Sequence, residues 1–161
     1  MAASLIPKVQ RDGTITLTDG SNTYTVAYEN GDLSFNKAKA ARVVIRDRGT
    51  IVGVRKGEDP IPTVSFTVHM RDFTDGTSLA LTDVLENTGG ASSWTSTGSG
   101  AYEEYMLTCT LGIEATDLGD SADMTAVLAK VIFEWSFSEG SPNSISVTGE
   151  VLGGITFTGQ A

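Results

Sequence analysis

Apolar and polar residues alternate with a period of two along most of the chain, which is the signature of half-buried strands. In Tyr105–Ala115 the apolar set is Tyr105, Leu107, Cys109, Leu111, Ile113 and Ala115, separated by Met106, Thr108, Thr110, Gly112 and Glu114. In Val127–Phe137 the set Val127, Ala129, Val131, Phe133, Trp135 and Phe137 is wholly apolar, so a long central strand is expected with these side chains in the core. Val64, Phe66, Val68 and Met70 alternate with Ser65, Thr67 and His69. Shorter runs occur at Thr14–Thr18, Tyr24–Tyr28, Leu33–Phe35 and Ile145–Val151, and Ile155 with Phe157 forms a last short strand.

Turn residues punctuate these runs. Asn30-Gly31 lies between two alternating segments, a strong hairpin signal because a type I′ turn needs positive φ twice. Arg42–Arg48 and Thr50–Arg55 form a second extended pair around Asp47-Arg48-Gly49. One helix interrupts the pattern: Thr77 or Ser78 can cap it, Leu81, Val84 and Leu85 fall at helical spacing, and Asp83 and Glu86 should face away. The Gly/Ser/Thr-rich segment 89–100, with Trp94 alone in it, reads as a flexible surface loop, and residues 1–12 as a flexible N-terminal arm. These elements predict one domain over 1–161: mainly β, an antiparallel β-sandwich or barrel with one flanking α-helix.

Composition narrows the function. With 161 residues, 40% hydrophobic and 19% charged, the chain has the profile of one soluble globular domain. No apolar run approaches the roughly 20 residues of a membrane span, and the N-terminus has no secretory pattern, so a protein made and kept in a cytoplasm is expected. A single cysteine excludes internal disulfides and Cys-rich zinc sites. The net charge of −9 is unevenly spread: residues 1–71 hold ten Lys/Arg against seven Asp/Glu, and residues 72–161 hold Lys130 alone against thirteen acids. So acidic a chain lacks the basic groups that replace phosphate counterions in nucleic-acid binding.

Catalytic patterns are weak. His69 is the only histidine, sits on a polar strand face, and has no G-x-S-x-G nucleophile elbow to serve. No phosphate-cradling glycine motif is present. Asp117, Asp120 and Asp123 lack the spacing of a calcium loop, and Glu103 and Glu104 point to opposite faces if extended. No enzyme activity and no cofactor or metal are expected. The basic cluster Arg42, Arg46, Arg48, Arg55 and Lys56 is more informative. Facing an acidic second half, it suggests a head-to-tail contact between copies.

Three stretches resemble one family. KVQRDGTITLTDGSNTYTVAYENGDLSF resembles an opening hairpin, followed by the basic hairpin RVVIRDRGTIVGVRKGEDPIPTVSFTVHMRDF; then comes FTDGTSLALTDVLENTGG, a strand running into a capped helix; last come the long strands YEEYMLTCTLGIEA and AVLAKVIFEWSF with the hairpin SISVTGEVLGGITF. In this order they resemble the major tail tube proteins of long-tailed, non-contractile (siphovirus-type) bacteriophages. The resemblance implies a virion structural protein, assembled in the host bacterial cytoplasm, that stacks as homohexameric rings into a tube conducting DNA during ejection. It further implies tape measure, tail terminator and distal tail proteins as partners, with no specific DNA binding and no membrane. A DNA conduit should be polar and negative, which makes Thr108, Thr110, Glu114, Glu134 and Ser136 candidate lumen residues. The competing expectation is a non-enzymatic β-sandwich binding module, either carbohydrate-binding or a capsid decoration protein.

Overall fold

The computed structural model describes residues 14–26, 33–70, 79–113 and 122–159. The expected arm at 1–12, the Asn30-Gly31 turn, the helix caps Thr77 and Ser78, Glu114 and the Asp117–Asp120 run lie outside the described residues. Strands form at β1 Thr14–Thr18, β2 Thr23–Val26, β3 Ser34–Asn36, β4 Arg42–Asp47, β5 Thr50–Lys56, β6 Thr63–His69, β7 Leu107–Ile113, β8 Met124–Ser138, β9 Ser144–Val151 and β10 Ile155–Thr158. A helix, α1, spans Leu81–Glu86, and a 3-10 turn spans Gly89–Ala91. The fold is the mainly-β antiparallel sandwich that the alternation predicts, with one short helix.

The sheet runs β2-β1-β7-β8-β9-β6-β3, with β10 on the free side of β8 and β4-β5 paired separately. The fifteen-residue β8 joins two halves. Its residues 124–131 pair with β7, and 125–128 also with β10; residues 131–138 pair with β9. Between the halves, Leu107 faces Val131 but Cys109 faces Leu128, so β8 carries one extra residue. Lys130 takes φ 53 there, the left-handed conformation of a β-bulge. The bulge reverses the inward parity: Ala126 and Leu128 are buried before it, Val131 after it. This corrects the single apolar set read from the sequence. Val127 and Ala129 face outward, Phe133 is half-buried, and Trp135 and Phe137 are exposed.

The two halves pack their inner faces into one core. Ile15, Leu17, Cys109, Leu111, Leu128 and Ile155 come from the first half, and Val64, Phe66, Val68, Val131, Ile145 and Val147 from the second. Phe35 of β3 meets Phe157 of β10 with ring centroids 6.0 Å apart, bringing the far edges of the sheet together. Met106, expected on the polar side, is also buried.

The helix is shorter than the spacing suggests. Ala80 stands at its N-cap with no side-chain hydrogen bond, and Asn87 ends it in the left-handed region at φ 56. Asp83 does not face away: it is 1% exposed and its Oδ2 has no hydrogen-bond partner among the described residues. Trp94 is buried in the core rather than alone in a loop. Its segment is tied down at several points: Thr97 N donates to Met106 O (2.9 Å), Met106 N to Ser96 Oγ (3.0 Å), and Thr95 N to Asp19 Oδ2 (3.1 Å). Asp19, in the β1–β2 turn, also accepts from Ser21 N, Asn22 N and Asn22 Nδ2. Partial desolvation pushes its carboxyl up, but these hydrogen bonds outweigh it and hold the group at about 2.

Two outcomes follow from these contacts. On β9, Gly149 sits where a Cβ would meet Val131 Cγ1 at 2.7 Å and Phe133 Cδ1 and Val64 Cγ1 at 3.1 Å. Gly149→Ala should destabilise the fold by about 1–3 kcal/mol in urea unfolding, with the slope unchanged. Asp19 is depressed in the folded chain, so its contribution is present above the unfolded carboxyl value of about 3.9 and is lost as pH falls toward 2. Melting temperatures of wild type and Asp19→Ala should differ at pH 5 and converge near pH 2.

Candidate assembly surfaces

The β4–β5 hairpin stands off the sheet as a two-stranded unit. Asp47 pairs with Thr50 across Arg48-Gly49, both at positive φ (49 and 83), the signature of a type I′ turn. Arg46 Nη1 donates to Gly49 O at 3.2 Å, and Gly57 N donates to Ala41 O at 2.6 Å at the base. Strictly alternating strands hide one face, but Arg42-Val-Val-Ile-Arg and Thr50-Ile-Val-Gly-Val place apolar side chains on both faces. Val43, Val44, Ile45, Ile51, Val52 and Val54 are 39–61% exposed. An isolated two-stranded hairpin is marginally stable in water, and an exposed apolar unit of this size marks an interaction site.

All five basic residues assigned from the sequence are on this hairpin. Arg42 pairs across from Lys56 and Val43 from Arg55, while Arg46 and Arg48 lie at the tip. Lys56 Nζ reaches Asp59 Oδ2 at 2.8 Å in a fully wet ion pair, which contributes little by itself. Lys39, Arg42, Arg55 and Lys56 line a depression of about 550 Å³ at the hairpin base. The stronger signal was therefore apolar rather than basic. The consecutive Val-Val-Ile and Ile-Val residues, which break strict alternation, are the sequence feature that points to it.

The four described candidate lumen residues, Thr108, Thr110, Glu134 and Ser136, lie on the outer face of the sheet but not together. Thr108 and Thr110 belong to the first half. There the cross-strand row Thr25–Thr16–Thr110–Val127–Thr156 is flanked by Thr23–Thr18–Thr108 and by Thr14–Gly112–Thr125–Thr158. These rows contain no charged residue. Their source is a T-x-T pattern repeated in TITLT, TYT, TCT and TFT, a regularity visible in the sequence. Glu134 and Ser136 lie in the second half, in the rows Ser34–Ser65–Thr148–Glu134 and Thr67–Ser146–Ser136. Glu104, Glu134 and Glu150 join Thr63, Ser65 and Thr148 around an open groove of about 430 Å³. His69 lies on this same outer face, opposite Ser144, as its parity predicts. Lys130 Nζ sits 4.3 Å from the Tyr102 ring centroid.

The second half also ends in open edges. Among the described residues no strand pairs with β8 over 132–138 on the side away from β9, and none with β3 beyond β6. No group of three or more His, Cys, Asp or Glu among the described residues converges as a metal site. What these surfaces present is open backbone edges, exposed Val and Ile, and separated charge. Since the hairpin's side chains are already in solvent, Val52→Ser with Val54→Ser should change the unfolding free energy of dilute protein by only about 0.5 kcal/mol in urea titration.

No family model matches the chain, and no curated protein matches it. Two solved structures share its fold across nearly the full length of both chains. One is from a cryo-EM structure of the sheath/tube terminator of an extracellular contractile injection system, PVC, in the extended state: TM-score 0.60, 11% identity, covering 98% of this chain and 99% of that one. The other is from the baseplate of the anti-feeding prophage (AFP): TM-score 0.62, 10% identity, covering 96% and 97%. The first belongs to a contractile injection system and the second to a baseplate; neither is the non-contractile tail tube protein expected from the sequence, and at this identity the likeness is one of fold.

Proposed function

We propose that this protein is a structural component of a phage-like tail that assembles with copies of itself into six-membered rings stacked as a hollow tube. One observation carries the reading: the β4–β5 hairpin leaves six Val and Ile side chains 39–61% exposed in the single chain. Fully burying one such side chain is worth about 1.5–3 kcal/mol, so a neighbouring copy that covers the hairpin gains several. Because hairpin and acidic surfaces are different patches, the contact is heterologous and propagates as a ring or a filament. The open edges at β8 132–138 and β3 suit continuation of the sheet into a neighbour.

In this arrangement the outer face of the second half, with Glu134, Ser136 and Glu150, lines the conduit. Its hydroxyls and carboxylates offer a polyanion no counterion release, so DNA passes without sticking. The fold shared with contractile-system particles supports a tail origin and favours a second reading. In it the chain forms a single ring at one end of a tube, contacting other tail proteins, rather than the repeating unit.

Negative-stain imaging of concentrated protein separates these outcomes. Long hollow tubes are expected for the repeating unit, isolated rings for the end-cap reading. Uniform monomers at high concentration overturn both. Added salt should weaken assembly where basic-to-acidic contacts orient the subunits.

A further inference from the structure

The hairpin requires a receiving surface, and among the described residues one place matches it in both polarity and charge. Past the core, the inner face of β8 continues as Trp135 and Phe137, 37% and 50% exposed. Two residues apart on one strand, they point to the same side, opposite Val147 and Ile145 of β9. Trp135 Nε1 donates to Glu86 Oε1 at 2.8 Å, which fixes a carboxylate at the rim. Exposed Glu139 follows the end of β8. No Lys or Arg occurs in α1 or after Lys130 in the chain. Among the described residues the other exposed aromatics already have partners: Phe157 rests against Phe35, and Tyr102 lies under Lys130.

We propose that the shoulder formed by Trp135 and Phe137, rimmed by Glu86 and Glu139, receives the β4–β5 hairpin of a second copy of this chain. The inference rests on the self-assembly reading and assigns its contact. Val52 and its apolar neighbours cover the two rings. The hairpin's arginines stack on Trp135, the aromatic that best accepts a cation, and pair with the rim carboxylates through a planar fork that lysine lacks. Connectivity fits as well. Only residues 37–41 separate β3 from the hairpin, a span of at most about 17 Å. A neighbour whose β3 extends the sheet along β8 therefore carries its hairpin within reach of this shoulder.

Cysteine cross-linking of the full chain tests the contact. The native Cys109 is buried and its thiol is pushed up to about 12, so it reacts little. The double variant Val52→Cys with Phe137→Cys, treated with a short bifunctional maleimide under assembly conditions, should give a ladder of covalent multimers. Each single variant should give none, and a mixture of the two single variants should stop at dimers. Both positions are well exposed, so folding is kept, and it is checked by comparing urea midpoints with wild type. Rings or tubes that form without cross-links overturn the shoulder assignment alone. Failure of the wild type to assemble overturns the assembly reading and this assignment with it. If the hairpin instead binds phosphatidylserine vesicles, and Val52→Ser abolishes that binding in a chain that never self-associates, a membrane surface replaces the second copy.

Discussion

One extra residue in the longest strand holds this architecture together. Lys130, in the left-handed region, is an uncomfortable conformation for a residue with a Cβ and costs of the order of 1 kcal/mol. It lets a single strand present even positions to the core before the bulge and odd positions after it. Without the inserted residue, Leu128 and Val131 could not both point inward, since strict alternation sends residues three apart to opposite faces. With it, β8 belongs to both halves of the sandwich and one hydrophobic cluster fills the space between them. The Lys130 ammonium over Tyr102 and the hydrogen bonds from Leu152 N to Lys130 O and Gly153 N to Ala129 O secure the kink from outside.

The same bulge accounts for the exposed aromatics. Past it, β8 carries its inward face beyond the layer that could cover it, leaving Trp135 and Phe137 in solvent while their partners Val147 and Ile145 are buried. Near the start of the chain, the hairpin leaves six aliphatic side chains uncovered. A monomer thus holds two apolar surfaces of different shape, one set among basic groups and one among acidic groups. The uneven charge along the chain becomes two opposed patches in space.

Much of this was legible in the sequence, and the limits have physical causes. Every described strand coincides with an alternating or β-branched run, because periodicity reports burial directly. The parity of β8 is not legible beforehand, because a bulge formed at lysine leaves no glycine to announce it. A carboxylate is seldom fully buried, so the sequence points Asp83 to solvent, yet it lies on the inner side of α1 with Leu81, Val84 and Leu85. The segment around Trp94 looked like an unstructured loop by composition. Its order comes from long-range partners, Asp19 and Met106, that no local window contains. For Thr108, Thr110, Glu134 and Ser136, parity gives the side of the sheet but not the half of the sandwich to which each belongs.

The threonine rows of β1, β2, β7, β8 and β10 carry one more consequence. A face of stacked hydroxyls is too polar to gain from burial and too neutral to attract an oppositely charged partner. In the proposed assembly, growth through hairpin and shoulder would have a passive flank beside it. Particles built that way would lengthen or close with little reason to bundle side by side, and a repeated T-x-T, rather than any contact, would hold growth to one dimension.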